Sequence, residues 1–226
     1  MSQVPVLIPT SLLLTALLSL LVGLRSPRGG YGVALVGIFT AFGISLAGLV
    51  HIWQGGDPLR YALGGWIPPI GIEFNFDSLA AYMVSIILFV GAMVMIFAPR
   101  SLRLEAPGKE GLAWPAMALV LAGMAGMCLT GDLFNLYVFL EIAALAAYAL
   151  LAIGSPAGAV ATFRYLLIGA VGGGFYLIGV AFLYFSAGTL NMADMAAILP
   201  ELLESRSVQA AGVFMVAGLA IKMALF

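Results

Sequence analysis

Long apolar segments recur along the chain and are separated by short polar breaks. Seven windows of about 18 to 25 residues are long enough, as helices, to cross a hydrocarbon core of roughly 30 Å. The pattern therefore predicts an all-α polytopic membrane protein with about seven transmembrane helices. Their approximate limits are 4–24, 31–53, 78–98, 112–131, 132–153, 162–186 and 209–226.

Two connections between these spans are longer than a turn. Residues 54–77 alternate β-forming residues with Gly and Pro, which predicts an ordered hairpin-like loop. Residues 189–206 have the pattern of a short amphipathic helix at the membrane interface. The spans on either side of Gly131 and Asp132 are expected to form a tight helical hairpin, because Gly suits a helix C′ position and Asp a following N-cap. Ser155 similarly suits the N-cap of the sixth span.

The composition limits the classes of function. Hydrophobic residues make up 63% of the chain and charged residues 8%, so a water-soluble surface cannot be assembled. A net charge of −1 provides no bulk attraction to nucleic acid. With Cys128 and His51 as the single cysteine and the single histidine, an internal disulfide, a zinc cluster and a haem site are not expected. We predict no cofactor and no metal.

Positive residues are distributed unequally between alternate connections. Because short loops rich in Lys and Arg remain in the cytoplasm, the bias places the N-terminus outside and the 54–77 loop on the outer face. We expect a multi-pass protein of the cell inner (plasma) membrane. Six positive residues lie on the predicted cytoplasmic side and two on the other: Arg25, Arg28, Arg100, Arg103, Lys109 and Arg164, against Arg60 and Arg206.

Two charged residues lie deep within predicted spans. At 1.5 Å per residue, Glu141 lies about 13 Å into the fifth span and Lys222 about 19 Å into the seventh. An ionised side chain at that depth costs about 2.5 to 3.5 kcal/mol, so neither is expected to face lipid. Burial disfavours the charged forms and mutual proximity favours them, so such a pair can exchange a proton near neutral pH. We predict a proton relay; the alternative is a static ion pair that locks two helices together.

Four other residues are candidates for the same path, each with a simpler alternative. Tyr137 and Tyr148 lie on the helical face of Glu141, where they either bind water in a proton path or pack against neighbours. Arg164 is either a snorkelling anchor or a charged partner inside the bundle. His51 is an interfacial residue or a point of proton entry or exit.

Four segments together resemble the antiporter-like subunits shared by Mrp-type cation/proton antiporters, respiratory complex I and membrane-bound hydrogenases, nearest to the D-type Mrp subunit. The resemblance covers essentially the whole chain. It implies that Glu141 and Lys222 are the central acid and lysine of these subunits, and that Arg164 matches a basic position at the start of span six. The segments read LGGWIPPIGIEFNFDSLAA, TGDLFNLYVFLEI, FRYLLIGAVGGG and AGLAIKMALF.

The resemblance also implies an incomplete fold. These subunits have about fourteen helices with two inverted repeats, each of which supplies half of a proton path. Residues 1–111 are expected to form the N-terminal three-helix segment, and residues 112–226 an incomplete first repeat. The chain thus corresponds to the N-terminal half of such a subunit, either a fragment or one that another chain completes.

Three functional hypotheses remain open at this stage. The first is a proton-translocating transporter subunit, not an enzyme, in a multisubunit Na+/H+ antiporter. The second is a proton-pumping subunit of a redox-driven complex, in which partner subunits carry the redox chemistry. The third is a non-transporting scaffold with a structural ion pair. All three imply other membrane subunits as partners, and the first two imply protons and, for the antiporter, Na+.

Overall fold

The computed structural model describes residues 1–154 and 156–225, with side chains throughout these ranges except at positions 156 and 157. Eight α-helices form most of this part of the chain. The N-cap predicted at Ser155 lies outside the described residues. The helices are α1 (Val4–Gly23), α2 (Pro27–Trp53), α3 (Ser78–Glu105), α4 (Glu110–Leu129), α5 (Leu133–Ile153), α6 (Pro156–Ala187), α7 (Met192–Leu202) and α8 (Arg206–Lys222).

Six of these helices, α1 to α6, are long and apolar enough to cross a membrane. The polytopic helical fold is therefore confirmed, and each of the first six predicted spans corresponds to one helix. Two helices are longer than the hydropathy windows indicated: α3 continues to Glu105 and α6 begins at Pro156. Polar residues at the ends of a membrane helix lie beyond the hydrocarbon, where an apolar window does not detect them.

The seventh predicted span corresponds to α8, which has 17 residues and ends at Lys222. The sequence pattern predicts a span over 209–226, whereas the helix in the described residues ends at Lys222. Ala224 adopts a positive φ of 55°, its N–H donates to the Ile221 carbonyl at 3.1 Å, and the Leu225 N–H donates to the Ala220 carbonyl at 2.9 Å. These two bonds form a Schellman C-cap, which terminates the helix one residue after Lys222.

The loop at 54–77 contains two antiparallel strands, β1 (Leu59–Ala62) and β2 (Glu73–Phe76), which agrees with the predicted hairpin. Phe76 at the end of β2 is fully buried. The Gly131 N–H donates to the Glu73 carbonyl at 2.8 Å, so the hairpin is hydrogen-bonded to the turn between α4 and α5. The short helix predicted within 189–206 is α7.

The two largest of three apolar cores in the described residues divide the helices into groups. The larger is formed by α1 to α4 and the hairpin, with Leu12, Ile38 and Leu88 fully buried. The smaller is formed by α6, α7 and α8 around Leu183 and Met195. Helix α5 packs against α4 on one side and α6 on the other. It is therefore the helix that joins the two groups.

Close packing fixes α5 against α4. A Cβ atom built at Gly123 would lie 2.6 Å from the Ala143 backbone nitrogen and 2.7 Å from the Phe139 carbonyl oxygen. Only glycine permits backbones to approach this closely, and small residues have this role in membrane helix pairs. The position and rotation of α5, and so the direction in which Glu141 points, follow from this contact.

Candidate functional site

Glu141 lies in the middle of α5, whose first turn is well capped. Asp132 is the N-cap, as predicted, and its Oδ1 accepts the Asn135 N–H at 2.7 Å. Burial raises the pKa of the Asp132 carboxyl, while hydrogen bonds from the Asn135 and Phe134 backbones lower it. From Leu133, Glu141 is eight residues along the helix, about 12 Å at 1.5 Å per residue. The acid therefore lies far from both ends of α5.

The structure brings the predicted pair together. Lys222 Nζ donates a hydrogen bond to Glu141 Oε1 at 2.7 Å, a charge-assisted distance. The Lys222 side chain is 8% exposed and that of Glu141 21% exposed. Lys222 belongs to the last turn of α8, where the negative end of the helix dipole favours a positive charge. Two opposite charges from different helices thus meet in a largely buried position.

Helix α6 lies between the two helices that carry these charges and approaches them through glycines. A Cβ atom at Gly173 would overlap Glu141 Oε1 and would lie 3.5 Å from Lys222 Cε. A Cβ atom at Gly172 would lie 3.0 Å from the Gly218 carbonyl oxygen of α8, and one at Gly218 would lie 2.6 Å from the Gly172 oxygen. The glycines of the span-six motif therefore provide the space in which the ion pair forms. Sequence reasoning used this motif for the family resemblance but did not connect its glycines with the pair.

The two tyrosines predicted on the face of Glu141 differ in their surroundings. Tyr137 stacks on Tyr176 with ring centroids 6.3 Å apart and planes 10° from parallel. Tyr176 is 1% exposed and its hydroxyl donates to the Leu133 carbonyl at 3.3 Å. Tyr148 is buried, packs edge-on against Tyr165 at 4.8 Å and points its hydroxyl at Gly169 of α6. Both tyrosines therefore lie in the interface between α5 and α6.

Tyr176 was missed by sequence reasoning. Its place three residues after Gly173, on the same face of α6, was the available signal.

Arg164 and His51 are not brought to the pair. Arg164 is exposed on α6 and makes no ion pair with any residue that the structure describes. His51 is in the last turn of α2, where its ring lies against Gly56. None of the described hydrogen bonds joins either residue to Glu141 or Lys222. The described part of the chain also contains no group of three His, Cys, Asp or Glu side chains arranged to hold a metal.

Comparison with known proteins shows the family to which the chain belongs. Residues 130–226, which include both members of the pair, match the family described as NADH:quinone oxidoreductase/Mrp antiporter, TM. Over 221 residues the chain is 43% identical to the N-type subunit of the NADH-quinone oxidoreductase of Desulforudis audaxviator (strain MP104C). The chain belongs to this family of membrane subunits. It is also 33% identical over 196 residues to the D-type subunit of the Na(+)/H(+) antiporter of Alkalihalophilus pseudofirmus.

Solved structures of this family share the fold. The chain superposes with a TM-score of 0.89 and 30% identity on a chain of the membrane-bound sulfane sulfur reductase, an archaeal respiratory membrane complex. It superposes with a TM-score of 0.79 and 25% identity on a chain of the Mrp complex from Dietzia sp. DQ12-45-1b. These matches cover 96% and 97% of this chain and 44% and 40% of the other chains. The family resemblance predicted from the motifs is confirmed.

The comparisons also show two features of the match. The chain spans 44% of the length of the oxidoreductase relative, which it covers with 98% of its own residues, and 38% of the length of the antiporter relative. Identity is higher to the oxidoreductase relative than to the antiporter relative, so the particular nearness to the D-type Mrp subunit is not favoured.

Breaking the ion pair from one side should destabilise the bundle more than removing both charges. Glu141→Met leaves an unpaired, largely buried ammonium and is expected to lower the free energy of unfolding by about 3 to 5 kcal/mol. Adding Lys222→Met should recover a large part of that loss. Unfolding in detergent is measurable through labelling of Cys128, the single cysteine. Equal losses in the single and double variants would contradict the pairing.

The matched control is the ion pair of Arg60 and Glu73, at 3.9 Å, in which the Arg60 side chain is 70% exposed. Because water screens that pair, Arg60→Gln should change stability by less than about 1 kcal/mol.

Proposed function

We propose that the chain is a proton-translocating part of a multisubunit membrane complex, in which Glu141 and Lys222 form a proton relay. The observation that carries the proposal is the 2.7 Å ion pair between two helices, largely shielded from solvent. Membrane proteins retain such groups mainly where ions or protons pass, because an ionisable group in lipid is costly. Tyr137 and Tyr148 lie in the same helix interface and are the nearest candidates for extending the path.

The chemistry of the pair suits a relay. Transfer of one proton from Lys222 Nζ to Glu141 Oε1 converts an ion pair into two neutral groups and leaves the total charge unchanged. In a medium of low polarity the neutral and ionised forms of such a pair are closer in free energy than they are in water. Small changes in separation or hydration then shift the proton between the two groups.

Two kinds of complex are candidates for this relay. The first is a Na+/H+ antiporter, supported by the identity to the D-type antiporter relative and the likeness to the Mrp complex. The second is a redox-driven complex, favoured by the higher identity to a membrane subunit of an NADH-quinone oxidoreductase. In the second case partner subunits perform the oxidation and this chain moves protons. In both cases we expect further membrane subunits as partners.

We further propose seven spans, with α8 as the seventh, and an outer N-terminus in the cell inner (plasma) membrane. The positive residues of three connections lie at the same end of the helices. Arg25, Arg103 and Glu110 line one cavity, and Lys109 Nζ donates to the Ile153 carbonyl at 3.2 Å, so the α1–α2, α3–α4 and α5–α6 connections share one end. Arg60 is in the hairpin at the other end. The positive-inside bias supports a cytoplasmic location for the first group.

Thiol labelling tests this orientation. Starting from Cys128→Ser, Pro107→Cys and Gln54→Cys each place one cysteine at an exposed position in the connections at opposite ends of the helices. A membrane-impermeant maleimide should label Pro107→Cys in inverted vesicles and Gln54→Cys in right-side-out vesicles. The reverse pattern would place the N-terminus in the cytoplasm.

The relay itself is tested by proton movement in inverted vesicles that contain the complete native complex. Glu141→Ala should reduce proton movement by at least about tenfold at matched assembly, because the acceptor of the Lys222 proton is gone. Glu201→Ala, which removes an exposed acid on α7, should behave as wild type. Normal transport by an assembled Glu141→Ala complex would leave only the scaffold hypothesis.

The same vesicles distinguish the two kinds of complex. A wild-type response to added Na+ identifies an antiporter, and a response to an electron donor without one to Na+ identifies a redox-driven pump. If neither added Na+ nor an electron donor causes proton movement, both candidates are contradicted.

Adjacent glycines on α6 allow a test that keeps both charges. Gly173→Ala places a methyl group against Glu141 Oε1 and should reduce proton movement several-fold by displacing the carboxylate. A Cβ atom at Gly174 meets nothing within 4 Å, so Gly174→Ala is the matched control and should have no effect. Equal activity of the two variants would show that the observed separation of the pair does not matter for transport.

A further inference from the structure

A second charged site lies far from the ion pair, at the end of the bundle where α1 joins α2 and α3 joins α4. It is a cavity of about 720 Å³ whose lining includes Arg25, Arg28, Arg103 and Glu110. The three arginines are exposed and make no ion pair with any carboxylate in the described part of the chain. With three positive side chains and one negative, the cavity has a positive balance that no described residue neutralises.

A buried donor at this cavity also lacks an acceptor. Trp114 is 3% exposed, lines the cavity, and has an indole Nε1 with no hydrogen-bond partner among the described residues. Its ring packs against Tyr31, another lining residue, at a centroid distance of 5.0 Å. A buried N–H without an acceptor costs about 1 to 3 kcal/mol. The Nε1 atom is itself fully buried, so a ligand oxygen could provide the acceptor once a lining side chain moves aside.

The N-terminus of α2 contributes to the same wall. Ser26 is its N-cap and accepts the Gly29 N–H at 3.2 Å, while Pro27 occupies the first helical position. Ser26, Pro27 and Arg28 all line the cavity. The first turn of this 27-residue helix therefore forms part of the cavity wall, where the helix dipole favours an anion. Arginine guanidinium groups are donors that suit phosphate oxygens.

The depth of the cavity matches the lipid headgroups. Arg103 follows the first residue of α3 by 25 positions, about 38 Å along the helix at 1.5 Å per residue. A hydrocarbon core is roughly 30 Å thick, so a helix that spans it brings Arg103 to the headgroup layer. Basic cavities between membrane helices at this level bind anionic headgroups.

We infer that this cavity binds the phosphate group of an anionic membrane lipid. Arg25, Arg28 and Arg103 hold the phosphate oxygens, and movement of a lining side chain lets the Trp114 N–H donate to the oxygen that lies deepest. Glu110 limits the excess positive charge, so a single phosphate group suits the site better than a more highly charged ligand. The site does not depend on the proton relay.

The test is native mass spectrometry of the protein purified with its membrane partners, with phosphatidylglycerol and phosphatidylcholine of matched acyl chains as probes. Wild type should retain phosphatidylglycerol in preference to phosphatidylcholine. Arg103→Gln should weaken this retention and the triple variant Arg25→Gln/Arg28→Gln/Arg103→Gln should reduce it by at least about tenfold. Trp114→Phe, which removes the N–H together with part of the buried ring system, should weaken it roughly three- to tenfold.

Arg100→Gln is the matched control, because Arg100 is an exposed arginine on the same helix that does not line the cavity. It should retain the lipid as wild type does. Equal retention of the two lipids, or equal loss in Arg100→Gln and Arg103→Gln, would overturn the proposal in favour of non-specific attraction. Displacement of phosphatidylglycerol by millimolar inorganic phosphate would assign the site to the free ion, and a partner protein that blocks the arginines would make it a protein interface. If the triple variant loses its fold, the comparison of Trp114→Phe with wild type decides.

Discussion

The contact between Glu141 and Lys222 constrains the whole C-terminal part of the structure. A carboxylate and an ammonium group within apolar helices are tolerated when each compensates the other, and the compensation falls steeply with distance. Helices α5 and α8 must therefore come close enough for a 2.7 Å hydrogen bond, and α6 lies beside both. Gly173 is required because any side chain there would occupy the space of the carboxylate oxygen. The end of α8 at Lys222 adds the favourable field of a helix C-terminus.

The N-terminal helices and the hairpin serve this arrangement by fixing α5. Its start is held by a polar network in which Asp132 caps the helix and the Asn135 amide donates to Thr130 Oγ1 at 2.9 Å. The Met192 N–H donates to the Gly131 carbonyl at 2.8 Å, which ties the start of α7 to the same turn. The hairpin, the α4–α5 turn and α7 are thus connected at one end. Because α5 cannot slide or rotate freely, Glu141 has a defined height and direction.

Membership of the family and the charges of the chain lead to a consistent picture of two specialised regions. Within the bundle, Glu141 and Lys222 form an ion pair, as suits the proposed movement of protons. At one end of the bundle, arginines that pair with no carboxylate among the described residues surround a cavity, as suits attachment to an anionic surface. The distance between these regions allows an anionic lipid to bind at the end of the bundle while the paired charges remain isolated from the lipid.

Much of this structure was predictable from local pattern. The six long helices follow from runs of apolar residues, because a backbone in lipid must satisfy its hydrogen bonds internally. The N-cap at Asp132 and the strands of the hairpin follow from short-range preferences of a few residues. That Glu141 and Lys222 each need a partner was also predictable from the chain, since charges are expensive wherever the surrounding 20 residues are apolar.

Other features depended on which helices pack together. The sequence did not indicate that α8 ends at Lys222, because Ala224 has no local preference for a positive φ. Tyr176 and Gly173 acquire their roles from the contact between α6 and α5, and no spacing along the chain specifies that contact. Arg164 was also a candidate partner for the pair from its sequence position, yet its side chain is exposed. The sequence by itself determined which charged residues need a partner within a membrane. Only the tertiary structure decided which residues they contact, because helix packing joins residues as far apart in the chain as Glu141 and Lys222.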